Sequence, residues 1–218
     1  MSFAKYIKSL RETHGLTQLR LSELLNISLV NIKKIESGET KTPNSRFLEN
    51  IAAFTRQDQV HVMREIFFND NADYDCNPTE LLKSFVSYSY NNGWNFEMYP
   101  SYDSGIIGRR MFDCLLTKKR DAPNRVIVHE MGAFPQILEI SKSYEQTVLF
   151  FVDRVKDIKY IMEENKFRSY FLILDSASDK DTQIFNNIIN YDLSLFNIKI
   201  DVILFDSVNM TQINMKSL

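Results

Sequence analysis

Leu16-Thr17-Gln18-Leu19-Arg20-Leu21-Ser22-Glu23-Leu24-Leu25-Asn26-Ile27-Ser28-Leu29-Val30-Asn31-Ile32-Lys33-Lys34-Ile35-Glu36-Ser37-Gly38 contains two short amphipathic segments joined by a turn. Leu21, Leu24 and Leu25 recur at helical spacing and are predicted to point inward, behind Thr17, whose hydroxyl suits a helix N-cap. Ser28 caps the second segment, in which Ile32 and Ile35 face the same interior. Between them stands Asn26, one of the few non-glycine residues that enter left-handed backbone at small cost, and Gly38 closes the second segment. Helices this short gain their stability from packing, so neighbouring sequence must supply a core. It does. Phe3, Ile7 and Leu10 form a helical pattern that stops at Gly15, and Thr42-Pro43-Asn44-Ser45 reads as a loop and cap before a helix through Phe47, Leu48, Ile51 and Phe54. A fifth helix, about Gln57 to Phe68, carries Val60, Met63, Ile66 and Phe67.

Leu16-Thr17-Gln18, Leu21, Leu25, Ser28, Ile32, Ile35-Glu36 and Gly38 fall at the spacing of the lambda-repressor-like (XRE/Cro) helix-turn-helix family, which residues 3–68 strongly resemble. Ser22 stands where that family usually has Ala and Asn26 where it usually has Gly; both are small enough for the helix crossing and the turn. The resemblance implies that helix 2 presents its N-terminus and Gln18 to a backbone phosphate, and that helix 3 lies in the major groove. Leu29, Val30 and Asn31 would then meet base edges, Asn31 pairing with adenine and the two apolar residues packing on thymine methyls. Lys33, Lys34 and Lys41 would hold phosphates and fix register. Glu36 reads as support for the fold, and His14 and His61 as structural. One such module offers little contact area, so the resemblance also implies a homodimer on two half-sites.

With 218 residues the chain has room for two compact domains, and a hydrophobic fraction of 44 % with 16 Phe and 10 Tyr allows aromatic-rich cores. The net charge of −2 hides an asymmetry: residues 1–68 hold ten Lys and Arg against seven Asp and Glu, a net +3, and the remainder sixteen against twenty-one, a net −5. Phosphate contact is therefore expected of the first part. No apolar run reaches the roughly 20 residues of a membrane span, and the first residues lack a secretory pattern. Cys76 and Cys114 show no metal-type spacing and read as reduced thiols, so a cytoplasmic protein without cofactor or membrane contact is expected.

Residues 69–78, Asn-Asp-Asn-Ala-Asp-Tyr-Asp-Cys-Asn-Pro, read as a linker, dividing a helix-turn-helix domain over 1–68 from an α/β domain over 79–218. The second part is predicted to run helix (Thr79 to about Tyr90), strands (Asn95–Tyr99, Arg110–Lys118, Arg125–Glu130), helix (Ser143 to Asn165), strand (Tyr170–Leu174), helix (Thr182–Phe196) and strand (Ile198–Phe205). The last two strands are apolar enough to be buried on both faces. The fold class read from this order is α plus α/β: a five-helix lambda-repressor-like domain followed by a mixed α/β domain.

That order resembles the restriction-endonuclease-like (PD-(D/E)XK) fold. The resemblance would place Asp113 at the first acidic position and Glu130 at the second, as catalytic carboxylates that together ligate Mg²⁺. Counting outward from a turn near Ala122 sets Asp113 opposite about Met131, so that Glu130 becomes its cross-strand neighbour. The pattern departs from the family: no Lys follows Glu130 in His129-Glu130-Met131-Gly132, and Glu139 with Lys142, or Lys118 and Lys119, are the available substitutes. Asp175 and Asp206 end apolar strands, where carboxylates either bind ligands or make turns. The leading expectation is a sequence-specific transcriptional regulator, a repressor by its resemblance. Its second domain would dimerise or receive a signal from a protein or small molecule. The alternative is a Mg²⁺-dependent endonuclease guided by the helix-turn-helix.

Overall fold

A computed structural model describes residues 3–40, 43–68, 78–98, 113–118, 125–152, 154 and 167–218. The chain divides into two compact units, Met1–Asn77 and Pro78–Leu218.

The first unit is built of α1 (Phe3–Thr13), α2 (Gln18–Leu24), α3 (Leu29–Glu36), α4 (Ser45–Thr55) and α5 (Gln59–Phe68). Side chains set where these helices start. Thr17 Oγ1 accepts from the Arg20 amide at 3.1 Å, Ser28 Oγ from that of Asn31 at 3.2 Å, and Asn44 Oδ1 from that of Phe47 at 2.9 Å. Each bond satisfies an amide that a helix start otherwise leaves unpaired. The stops are backbone features: Gly15 and Gly38 have φ of 61° and 83°, and Asn26 turns the chain between α2 and α3 at φ 48°. Arg56, at φ 58°, ends α4 and delays α5 to Gln59, two residues later than the periodicity suggests.

Ile7, Leu21, Leu25, Ile32, Ile51 and Ile66 are fully buried at the centre, and Phe3 meets Phe47 edge to face at 5.4 Å. Leu24, predicted to point inward, is instead exposed. At the end of a helix of 7 residues, the two neighbouring leucines at 21 and 25 already fill the inward stripe.

The second unit opens with α6 (Glu80–Asn91), capped by Thr79 Oγ1 on the Leu82 amide at 3.2 Å. Its strands are β1 (Trp94–Met98), β2 (Cys114–Lys118), β3 (Arg125–Glu130), β4 (Phe167–Asp175), β5 (Ile200–Asp206) and β6 (Thr211–Ser217). They form one sheet in chain order, antiparallel from β1 to β3, parallel through β4 and β5, and antiparallel again at β6. Between β3 and β4 lie α7 (Ile137–Ile140) and α8, described over residues 144–152; α9 (Asp179–Ile188) links β4 to β5.

Helices cover both faces. On one, Phe85 of α6 packs edge to face on Phe171 and Phe205 at 6.5 and 5.3 Å. On the other, Ile184, Phe185 and Ile188 of α9 join Phe151, Tyr170, Leu172, Val202 and Leu204 in one apolar cluster. β4 is therefore apolar without a break from Tyr170 to Leu174 and β5 from Val202 to Phe205, as strands sandwiched between helices tend to be.

Two differences from the sequence reading stand out. The helix expected over Thr182–Phe196 begins earlier and stops at Ile188, and Ser194–Phe196 is a separate 3-10 turn. Asp192 Oδ1 accepts from the Ser194 amide at 2.9 Å, a local turn that competes with helix continuation. β6 was not expected at all. The β2 reading from Arg110 and the helix to Asn165 extend into residues outside those described, as do the linker residues 69–77.

Candidate nucleic-acid interface

In the first unit α2 and α3 meet across the Asn26 turn, with Ser22 buried at 4 % exposure where they approach. Ile32 and Ile35 anchor α3 to the core. The opposite side of α3 is left to solvent: Val30 is 60 % exposed, Asn31, Lys33 and Lys34 are exposed, and Leu29 is half-buried at the first helical position. Lys34 Nζ lies 3.9 Å from Glu39, a loose surface pair that leaves its charge largely to solvent. Lys41 lies outside the described residues. Leu29, Val30, Asn31, Lys33 and Lys34 thus lie on one short, outward-facing helix with a net positive end.

Gln18 has a more committed position. Its Nε2 donates to Glu36 Oε2 at 2.8 Å, and the same carboxylate accepts from Arg11 Nε at 2.7 Å and Arg11 Nη2 at 3.2 Å. Arg11 Nη1 also reaches the Leu16 carbonyl at 3.3 Å. One carboxylate therefore ties α1, the start of α2 and the end of α3 together. Burial alone would push the Glu36 carboxyl up, but the bonds from Arg11 and Gln18 and the charges of Arg11 and Lys8 hold it below the usual range. Glu36 is the support the sequence reading assigned to it; Arg11, its partner 25 residues away, carried no spacing signal.

The geometry defines a helix-turn-helix: a capped first helix, a left-handed turn residue, and a capped second helix with one face open. The helix-turn-helix family model matches residues 7–56, the same stretch. No curated protein and no solved structure matches the chain.

The second unit gathers carboxylates at the ends of β3 and β4. Cys114 pairs with Val128, so the hairpin register sits two residues from the one that put Asp113 opposite Met131. Asp113 is nevertheless beside Glu130: its amide donates to Val128 O at 3.0 Å and its Oδ2 accepts from the Glu130 amide at 2.8 Å. The Asp113 carboxylate thus caps the last amide of β3. Glu130 in turn accepts from the Thr79 hydroxyl at the start of α6.

Asp181 on α9 is buried at 6 % exposure and accepts from the Asp175 amide at 2.9 Å. Lys180 Nζ donates to the Gly132 carbonyl at 3.1 Å, bringing an ammonium to the segment after Glu130 that has no lysine of its own. Among the described residues no group of three or more His, Cys, Asp and Glu is arranged to hold a metal ion.

The candidate substitutes for that lysine lie elsewhere. Lys142 pairs with Glu139 on the surface at 2.8 Å, and Lys118 sits 5.2 Å over the Trp94 ring at the far end of β2. Lys119 is outside the described residues. Asp175 accepts from Ala177 N and Ser207 Oγ, and Asp206 from Val208 N and Asn209 N, so both make turns. The sequence did hold one unused signal here: Ser178-Asp179-Lys180-Asp181 has the spacing of a capping box, and Ser178 Oγ accepts from the Asp181 amide at 3.2 Å.

Crowding sets the electrostatics of this corner. Burial pushes the Glu130 carboxyl up, the Thr79 bond opposes it, and the charges of Asp113, Asp181 and Asp175 push it further. Asp181 is also raised, by burial first. A native carboxyl with a raised pKa binds its proton more tightly than the unfolded chain does, so native stability falls as pH rises from the ordinary Glu value of 4.5 through the raised one. Melting of the sheet unit is therefore expected at higher temperature near pH 5 than near pH 7, with E130Q weakening that difference. A Glu130-dependent rise in melting temperature over the same interval would contradict this account.

Proposed function

We propose that the chain is a sequence-specific double-stranded DNA-binding transcriptional regulator, a repressor by family resemblance, acting as a homodimer. In this reading the second unit dimerises or receives a protein or small-molecule signal. The observation that carries it is the exposed face of α3, where Val30, Asn31, Lys33 and Lys34 are turned outward while Ile32 and Ile35 lock the helix to the core. The family match over residues 7–56 and the net positive charge of the first 68 residues support it. Leu29, Val30 and Asn31 take the base edges; Lys33, Lys34 and Lys41 take phosphates, with Gln18 at the start of α2 beside them. No helix among the described residues is long and apolar enough to cross a membrane.

Selection of bound sequences from a random DNA pool, followed by footprinting, tests the reading. N31A is expected to weaken binding to the selected site by about 1–3 kcal/mol and to relax preference at one adenine. K33A and K34A should weaken all sequences alike and each reduce the salt slope by roughly 1. An N31A protein with unchanged affinity and preference would overturn the placement of α3 in the groove. Incubation with plasmid and Mg²⁺ separates the endonuclease alternative: intact plasmid is expected, and discrete fragments abolished by D113A would overturn the regulator reading.

A further inference from the structure

The bend between α2 and α3 is held from outside as well as by its own hydrogen bonds. Ile27 N–H donates to Ser22 O at 3.0 Å and Asn26 N–H to Glu23 O at 3.1 Å, with Asn26 in left-handed backbone at φ 48°. This is the Schellman pattern, in which two amides beyond a helix end bond back to its last turn. The pattern makes no use of the Leu25 carbonyl. A third helix takes it: Asn50 Nδ2 of α4 donates to Leu25 O at 2.7 Å, across 25 residues of chain. A carbonyl only accepts, so the side-chain atom facing it is the amide nitrogen and not the oxygen.

Leu25 O and the Asn26 amide belong to one peptide unit. That plane is fastened at both ends, to α2 through Glu23 and to α4 through Asn50. A peptide unit is rigid, so fastening both ends fixes the direction in which the chain leaves α2. Asn26 enters left-handed backbone at a steric cost that glycine lacks, and the turn gains from an outside hold. α4 is a firm post for it. Asn44 caps its start, and Phe47, Leu48 and Ile51 are buried before and after Asn50. Asn50 itself is half-buried, so water competes weakly for the bond.

We propose that Asn50 is a positioning residue for DNA recognition: its bond to the Leu25 carbonyl sets the angle at which α3 leaves the turn. This rests on the reading of α3 as the DNA-facing helix. Leu29, Val30 and Asn31 begin three residues beyond Asn26, so a swing of the fastened plane moves them together. Glu36 ties the far end of α3 to Arg11 and Gln18, and Asn50 controls the near end. Bidentate pairing with a base edge needs two atoms aligned at once, whereas a lysine on its flexible stem follows a displaced phosphate. Loss of the Asn50 bond therefore removes sequence preference and leaves non-specific affinity in place.

Two measurements on the full chain test this with wild type, N50A and N50D; aspartate keeps the shape of asparagine and has no donor when ionised. All three are compared in the cold, at a temperature where circular dichroism shows them folded. The first measurement is hydrogen exchange of single amides by NMR, without DNA. In both variants exchange at Asn26 and Ile27 is expected to quicken about 10-fold more than at Ile35 and Ile51, which report opening of the whole unit. The second is affinity for the selected site against an unrelated duplex of the same length. The ratio of the two should fall about 10-fold, the scale of one mismatched base pair, with the unrelated duplex bound within about twofold of wild type. A role confined to stability would lower the melting temperature and leave this ratio alone. The lost preference should spread over every base position that α3 reads, unlike that of N31A, which is confined to one.

Amides at 26 and 27 that keep step with Ile35 and Ile51 would overturn the hold on the turn. Loosened amides with an unchanged affinity ratio would overturn the positioning role and leave α3 as the reading helix. A wild type that prefers no sequence would overturn the sequence-specific reading, and the role of Asn50 in recognition with it.

Discussion

E36A is expected to destabilise the N-terminal unit by about 3 kcal/mol, the lower end of what breaking a buried ion pair from one side costs. The side chains of Glu36 and Arg11 are only 8 % and 17 % exposed, so alanine strands a guanidinium that water reaches poorly. What remains for Arg11 is the Leu16 carbonyl at 3.3 Å and an exposed Glu12 at 3.6 Å. Gln18 loses its acceptor as well, which frees the start of α2 from the end of α3. For a unit of this size each kcal/mol moves the melting temperature by about 4–8 °C, so a fall of roughly 12–24 °C is expected. DNA affinity should be retained in the cold and lost on warming. The pair R11M/E36L is expected to melt close to wild type, since apolar replacement of both partners removes the stranded charge. An E36A protein that melts within a degree of wild type would refute the bracing role. Because the native Glu36 pKa is lowered, this contribution is present above the ordinary Glu value and is lost as pH falls through the native one.

The second large effect is expected from G132A. A Cβ built on Gly132 would lie 2.5 and 2.7 Å from the two Asp181 carboxylate oxygens and 2.9 Å from Cγ, contacts that real side chains do not make. Asp181 has nowhere to go. Its Oδ2 holds the Asp175 amide at 2.9 Å, its own amide is capped by Ser178 at 3.2 Å, and Lys180 bonds the Gly132 carbonyl at 3.1 Å. A cost of about 2–3 kcal/mol is expected, as for overpacking elsewhere. D181A should also destabilise, by leaving the Asp175 amide without its acceptor. The double variant G132A/D181A should cost less than the sum, because removing the carboxylate removes the collision. Chemical denaturation of the four proteins reads this coupling directly. Strict additivity would show that the Gly132 to Asp181 approach does not constrain the corner.

How far the sequence was legible followed local chemistry. Thr17, Ser28 and Thr79 cap helices where their hydroxyls predict, and Asn26, Gly15 and Gly38 turn the chain where left-handed backbone is needed. These features act within four residues, which is the range that spacing can read. Arg11 with Glu36, and Gly132 with Asp181, join segments 25 and 49 residues apart, and no periodicity encodes them. The position of Asp113 shows the same limit in another form. Its closeness to Glu130 was anticipated, but the register was not, because the length of the hairpin loop decides it. β6 escaped notice although Ile213 and Met215 alternate with Gln212, Asn214 and Lys216, because two apolar residues in so short and polar a run carry little strand signal. On α3 the outward turn of Val30, Asn31, Lys33 and Lys34 was legible from spacing, whereas Leu29 is half-buried.

The sheet is assembled in the order in which its strands occur in the chain, β1 through β6. During synthesis each strand therefore leaves the ribosome with its pairing template already in place, and no finished edge has to reopen to admit a later arrival. The first helix of the unit has the opposite history. Phe85 of α6 rests on Phe171 and Phe205, the second of which is made 120 residues later. The aromatic face of α6 must wait, uncovered, for nearly the whole unit to be translated. The nascent chain's exposure to chaperones and to aggregation is concentrated in that interval, and it ends when β5 docks.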